Sequence, residues 1–406
     1  MKAGMPTTRS QGTVAICGAT RALAALLVAG LFAATNPALA GSREQAKRIH
    51  DRLNGTPPST ALLDSMQADI DGGNPLGAAY KAIDDANGQF YSVVLKNFVT
   101  PWTNRDQTAF APLNDYTATV IGMVRDEVPF NTVLSTDLIY MGKSALGLPA
   151  YSNSGNDHYA QMEARGTNLK DGLVALPQSQ VTGLPAAATA GVITTRAAAR
   201  AFFVAGTNRA MFRFTMINHM CTDMPQVMDQ TRPTDRIRQD VSRSPGGDSR
   251  VFLNNCVGCH SGMDPMAQAF AHYDYVFTTD ESTGSLQYTA ASVVSKYFHN
   301  NTTFAPGFVT PDDGWENRWR AGPNALMGWD PNRPGAGSGA KSLGAEFGAS
   351  DQFARCQVQK AFHAVCLRAP SDGADRAQAA TMVNDFKQGY SLKKVFAEAA
   401  VYCRGD

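Results

Sequence analysis

Two thiols three residues apart with a histidine beside the second, Cys256-Val257-Gly258-Cys259-His260, constrain this chain more than any other stretch. At this spacing each sulfur can add to one vinyl group of a haem while the adjacent imidazole binds the iron. Cys256 and Cys259 are therefore the expected attachment points of one covalent haem c, and His260 is its expected proximal iron ligand. Two other uses of a Cys-x-x-Cys pair fit less well. A structural zinc site wants four ligands, and no second Cys-x-x-Cys or His-x-x-x-His follows. A thioredoxin-like pair would follow a strand and open a helix, whereas Ser249 to Asn255 reads as helix or turn.

The N-terminus agrees with chemistry carried out beyond the cytoplasm. Lys2, Arg9 and Arg21 precede an apolar run from Ala22 to Ala34, and Pro37-Ala38-Leu39-Ala40 offers the small residues a signal peptidase needs. The run is about 13 residues against the roughly 20 that span a bilayer, so residues 1–40 read as a signal peptide cleaved after Ala40. Cys17 lies before the run rather than after it, which argues against a lipoprotein. The expected location is periplasmic or secreted, with no later membrane span. Removing the haem pair from the cysteines that follow residue 40 leaves Cys221, Cys356, Cys366 and Cys403. An even remainder in an exported protein implies two disulfides, with three pairings open. A net charge of +1 gives no field to draw nucleic acid or an anionic membrane.

Hydrophobic spacing predicts a mainly α fold with long loops. Asn54-Gly55 stops a first helix, Ser59 or Thr60 caps a second, and Tyr91, Val94, Leu95 and Phe98 form an apolar stripe. Residues 41–150 read as a helical domain, 151–242 as a loop-rich and helical connecting region, and 243–406 as the haem domain. Ser152 to Gly191 reads as surface loop with a solvated His158, His50 as a surface or packing residue, and Asp229 to Arg250 as an exposed charged linker. Asp351 and Ser391 are placed to cap the last helices.

The haem motif continues as Ser261-Gly262-Met263-Asp264-Pro265 and on to Tyr273-Asp274-Tyr275. This stretch resembles the cytochrome c-like domain common in large planctomycete and related bacterial proteins, where the motif is followed by a Met-Asp-Pro step and an aromatic-Asp pair. Phe353-Ala354-Arg355-Cys356 and Tyr390 to Phe396 look like that domain's closing helices, and Arg52 to Pro58 resembles a motif of the helical domains that travel with it. The resemblance implies an electron carrier outside the cytoplasm.

In small c-type cytochromes the second iron ligand often comes from a methionine on a later loop. Met327, in Gly322-Pro323-Asn324-Ala325-Leu326-Met327, meets that description and is the first choice. His272, His299, Met220, Met224 and Met228 are the other candidates. A thioether suits one-electron transfer between redox partner proteins; an open sixth position would instead allow a haem enzyme acting on a small ligand of iron. A third possibility is a binding module that haem staples together. Trp315, Trp319 and Trp329 could sit against the porphyrin or serve as ordinary core.

Overall fold

The computed structural model describes residues 40–204, 206–278, 283–298 and 303–405, so residues 1–39 of the expected signal peptide and the candidate ligand His299 lie outside the described residues. The chain is mainly α, 55 % helical and 7 % strand. Helices α1 (Ser42–Asn54), α2 (Thr60–Asp71) and α3 (Pro75–Ile83) form a first layer. Their ends follow local chemistry. Gly55 closes α1 in the left-handed region at φ 68°, the Ser59 hydroxyl accepts from the Leu62 N–H, and Asn74 does the same for Gly77. Helix α4 (Asp115–Arg125) is buried along nearly its whole length.

Strand β1 (Ile139–Gly142) follows, then α5 (Asp157–Ala164) and β2 (Leu173–Leu176), which pairs antiparallel with β1. The segment expected as surface loop thus carries a helix and a strand. Its polar residues are spent inward: His158 is buried, its Nδ1 against the Pro149 carbonyl at 2.7 Å and its Nε2 accepting from the Gly142 N–H at 2.9 Å. His50 is likewise buried, between the Thr56 carbonyl and Asp85.

Helices α6 (Arg196–Phe202) and α7 (Arg209–Met220) lead to α8 (Val257–Ala267), which carries the second thiol and His260. Two short antiparallel hairpins follow, β3 (Tyr273–Phe277) with β4 (Gly284–Tyr288) and β5 (Gly314–Glu316) with β6 (Ala336–Ser338). The chain ends in α9 (Gly339–Gly348), α10 (Asp351–Cys366), α11 (Gly373–Lys387) and α12 (Leu392–Tyr402). The capping side chain of α10 is Ser350, one residue before the expected Asp351; Ser391 caps α12 as expected. Among the described residues no helix is long and apolar enough to cross a membrane.

One hydrophobic cluster runs from Ala46 in α1 to Ala400 in α12 and draws on all three expected regions. Helix α12 packs on α1, α3 and α10, while α7 bridges α10 and α8. Two disulfides fix the pairing that the sequence left open: Cys221–Cys356 joins the end of α7 to α10, and Cys366–Cys403 joins α10 to the end of α12.

Trp315, Trp319 and Trp329 are all buried in this core. Trp319 packs so closely on α8 that a Cβ on Gly262 would lie 1.9 Å from its Nε1. Gly262→Ala should therefore lower the unfolding free energy by about 2–3 kcal/mol, the upper part of the usual cost of overpacking, because a fully buried indole has nowhere to move. Gly373→Ala, where nothing lies within 4 Å, is the neutral control. Equal urea midpoints for the two variants would contradict the contact.

Candidate haem-attachment site

Helix α8 is preceded by a single π-helical turn, Phe252–Cys256, of the kind that often marks functional sites. The expected helical approach is therefore present, with a widened turn at the first thiol. Of the cysteines beyond residue 40, four are consumed in disulfides and the two that remain free are Cys256 and Cys259. Cys259 Sγ lies 3.5 Å from the Met224 carbonyl and Cys256 Sγ 3.7 Å from that of Val251. Burial, with Cys256 and Asp223 nearby, pushes the Cys259 thiol up from its usual value. Among the described residues no three His, Cys, Asp or Glu side chains gather into a metal-holding cluster, which leaves the two thiols and the imidazole without the further ligands a zinc site requires.

His260 projects from α8 with its Nδ1 3.1 Å from Asp264 Oδ1, one turn further along. A carboxylate only accepts, so Nδ1 carries the proton and Nε2 presents its lone pair. Nε2 has no hydrogen-bond partner among the described residues. Asp264 is completely buried, and Arg209 grips it with two bonds, Nε–Oδ1 at 2.7 Å and Nη2–Oδ2 at 3.0 Å. The Arg238 backbone N–H donates to Oδ2 at 3.3 Å, and the Arg238 guanidinium stands 3.7 Å from Oδ1. Burial by itself would raise the Asp264 carboxyl. Arg209, with help from His260 and Arg238, overcomes it and holds the group well below the usual carboxylate range. Arg209 is shared: its two terminal nitrogens also bind Asp240, at 2.6 and 2.9 Å.

This arrangement corrects the reading of residues 229–250 as an exposed linker. Ile237 and Arg238 are buried, Asp229 donates its N–H to the Gly258 carbonyl, and its own carbonyl accepts from Ser261 Oγ. Of the charges that suggested solvent exposure, Asp240 and Arg238 are paired against α7 and α8, while Asp248 and Arg250 pair with each other at the surface.

Apolar surface is left open beside the thiols. Val251, Leu253 and Met228 are exposed, and a cleft of about 440 Å³ is walled by Ile237, Phe252, Leu253, Phe304 and Phe308 with Arg243. The Arg243 guanidinium stacks over Phe252 and Phe304 at 4.9 and 4.5 Å, and its donors go to backbone carbonyls of Ile237, Arg238 and Val241. No carboxylate among the described residues is hydrogen-bonded to it. The cleft adjoins the first thiol through Phe252, which packs in the small cluster that Cys256 also contacts.

The expected second ligands are distributed differently. Met327 ends a one-turn 3₁₀ helix, Pro323–Met327, and is buried in the main core. That turn is tied to Trp319 through the Trp329 indole, which donates to the carbonyls of both Trp319 and Asn324. Trp319 covers Gly262, about 200° round the helix from His260. The Met327 turn is thus tied to the indole that covers Gly262. His272 lies twelve residues beyond His260, past the end of α8, with Nδ1 3.6 Å from Asp313. Met220 is occupied in the core, its sulfur accepting from Ser350 Oγ. Met224 and Met228 are the methionines beside the motif, the first at the Cys259 sulfur and the second against Gly258.

Asp264, Arg209 and Asp240 belong to this site although the haem motif alone does not announce them. The signal available in the sequence was an acid four residues after a histidine within a helix. The chain matches no family model, no curated protein and no solved structure.

Proposed function

We propose that this protein is an exported monohaem c-type cytochrome that passes single electrons between redox partners. The observation that carries the reading is the selective bookkeeping of sulfur: every other described cysteine is bonded to a partner, while the Cys-x-x-Cys-His pair stays free beside an imidazole whose Nε2 is unengaged. Cys256 and Cys259 would hold the haem, His260 would bind its iron, and Arg243 is the cation in the adjoining cleft that suits the haem carboxylates. When bound, the haem supplies a one-electron couple. Around it the chain orients the imidazole through Asp264 and limits water through Phe252, Phe304 and Phe308.

The test is covalent attachment. Expressed in a host that matures c-type cytochromes and then denatured and extracted with acidified organic solvent, the native chain should keep its red colour, and the Cys256→Ala, Cys259→Ala double variant should lose it entirely. Colour that leaves the native chain, or never forms, defeats the proposal.

A haem enzyme is the second reading, favoured by one observation: a buried carboxylate rather than a neutral acceptor faces His260 Nδ1. Spectra recorded with carbon monoxide and cyanide separate the two. Bands unmoved by ligand support a carrier, and ligand uptake supports the enzyme.

A further inference from the structure

The pair His260–Asp264 carries an inference that rests on the haem reading and deepens it. We infer that Asp264 is a positioning residue that fixes the tautomer of His260 and strengthens it as an iron donor, biasing the centre toward its oxidised state.

Three observations lead there. First, the acceptor at His260 Nδ1 is a full anion at 3.1 Å, and a proton shared with an anion leaves more electron density on Nε2 than one donated to a neutral carbonyl. Second, that anion is built to remain one. Asp264 has no access to water, yet Arg209 and Arg238 surround it with two guanidinium groups and a backbone N–H. Third, it is not fully neutralised by them, because Arg209 divides its donors between Asp264 and Asp240. The cluster Arg209, Arg238, Asp240 and Asp264 sums to zero charge, with Asp264 its member nearest the imidazole. A richer donor stabilises ferric over ferrous iron, so the potential is lowered.

The geometry of α8 explains why this carboxylate is available. Positions 260 and 264 share one face at i, i+4, and Pro265, which has no N–H, follows without competing for the side chain. The face opposite is committed to Trp319. Among the described residues the imidazole is hydrogen-bonded through Nδ1 alone, and its side chain keeps 20 % exposure.

The experiment uses the full-length, haem-loaded protein and Asp264→Asn, which keeps the size of the side chain and removes its charge. The amide should still hold the ring while the ferric-to-ferrous preference falls about tenfold, the low end of what outer partners of metal-bound histidines contribute. For a one-electron couple that is a rise of about 59 mV in midpoint potential. The iron–histidine stretch of the ferrous protein in resonance Raman should move to lower frequency. An unchanged potential and stretch in a variant that retains thioether-bound haem overturn the inference and leave the haem reading standing. Absence of covalent haem from the native protein overturns the haem reading itself. If Asp264→Asn does not accumulate as folded protein, Asp264→Glu decides by the same two readings. Its added methylene, in a site with no free space, displaces the anion from Nδ1, so a weakened stretch and a raised potential support the inference and native values overturn it.

Discussion

Replacing Cys221 and Cys356 together by serine is expected to lower the unfolding free energy by about 5 kcal/mol. The bond closes 135 residues of chain, and the loop-closure entropy removed from the unfolded ensemble grows with the logarithm of that length. The Cys366–Cys403 bond closes 37 residues, so its double serine variant should lose about 4 kcal/mol by the same reasoning. Neither bond is an exposed ornament. Cys356 lies within the buried face of α10, and Cys221 terminates α7 in a left-handed conformation, at φ 49°, that the cross-link helps to hold. Urea titrations of both variants measure the two losses. A loss below about 1 kcal/mol for the first, or a larger loss for the shorter loop, would contradict the entropic ordering.

Arg209→Met should cost about 3–5 kcal/mol, the usual penalty for removing one member of a buried charge cluster. The guanidinium makes four bonds to two carboxylates, and Asp264 has no solvent contact to fall back on. Methionine keeps much of the arginine's apolar stem, so the loss reads charge rather than volume. Adding Asp240→Asn to Arg209→Met removes one orphaned anion and should recover part of the stability; additivity of the two substitutions would show that they do not interact. The pH dependence has a definite sign. Burial would raise Asp240, and Arg209 more than offsets it, leaving a carboxyl below its usual value. Its contribution is therefore complete above the unfolded carboxyl value of about 3.9 and is lost as pH falls through the lowered folded value. The gap between native and variant should hold at neutral pH and narrow only in acid.

What could be read from the sequence was what local chemistry decides. The caps at Ser59 and Ser391 and the left-handed stop at Gly55 each depend on a few neighbouring residues, and they stand where the spacing placed them. The three short strand pairs were not legible, because strands of three to five residues carry too little alternation to distinguish them from loop. Residues 229–250 misled for a different reason. A dense run of charge signals solvent unless its partners are elsewhere, and those of Asp240 and Arg238 lie on α7 and α8, 31 and 26 residues away. Met327 met the expected sequence distance and loop chemistry. Where its loop packs depends on contacts such as Trp319 filling the space over Gly262, between residues 57 apart, which spacing does not reveal. Disulfide pairing is equally non-local, and cysteine counting could reach only the number of bonds. The i, i+4 relation of His260 and Asp264 was in view throughout, and its meaning emerged with the two arginines that keep the carboxylate charged.

The meeting of α1 and α12 sets an order of events during synthesis. Arg404 reaches across to Gln45 at 2.8 Å, and the apolar side of the first layer is completed by the last helix. A chain emerging amino end first must carry α1 and α3 half-covered until nearly four hundred residues have appeared, so final closure waits on the most distant contact available. The Cys256–His260 stretch emerges well before that moment, on a polypeptide whose last helices have yet to shut behind it.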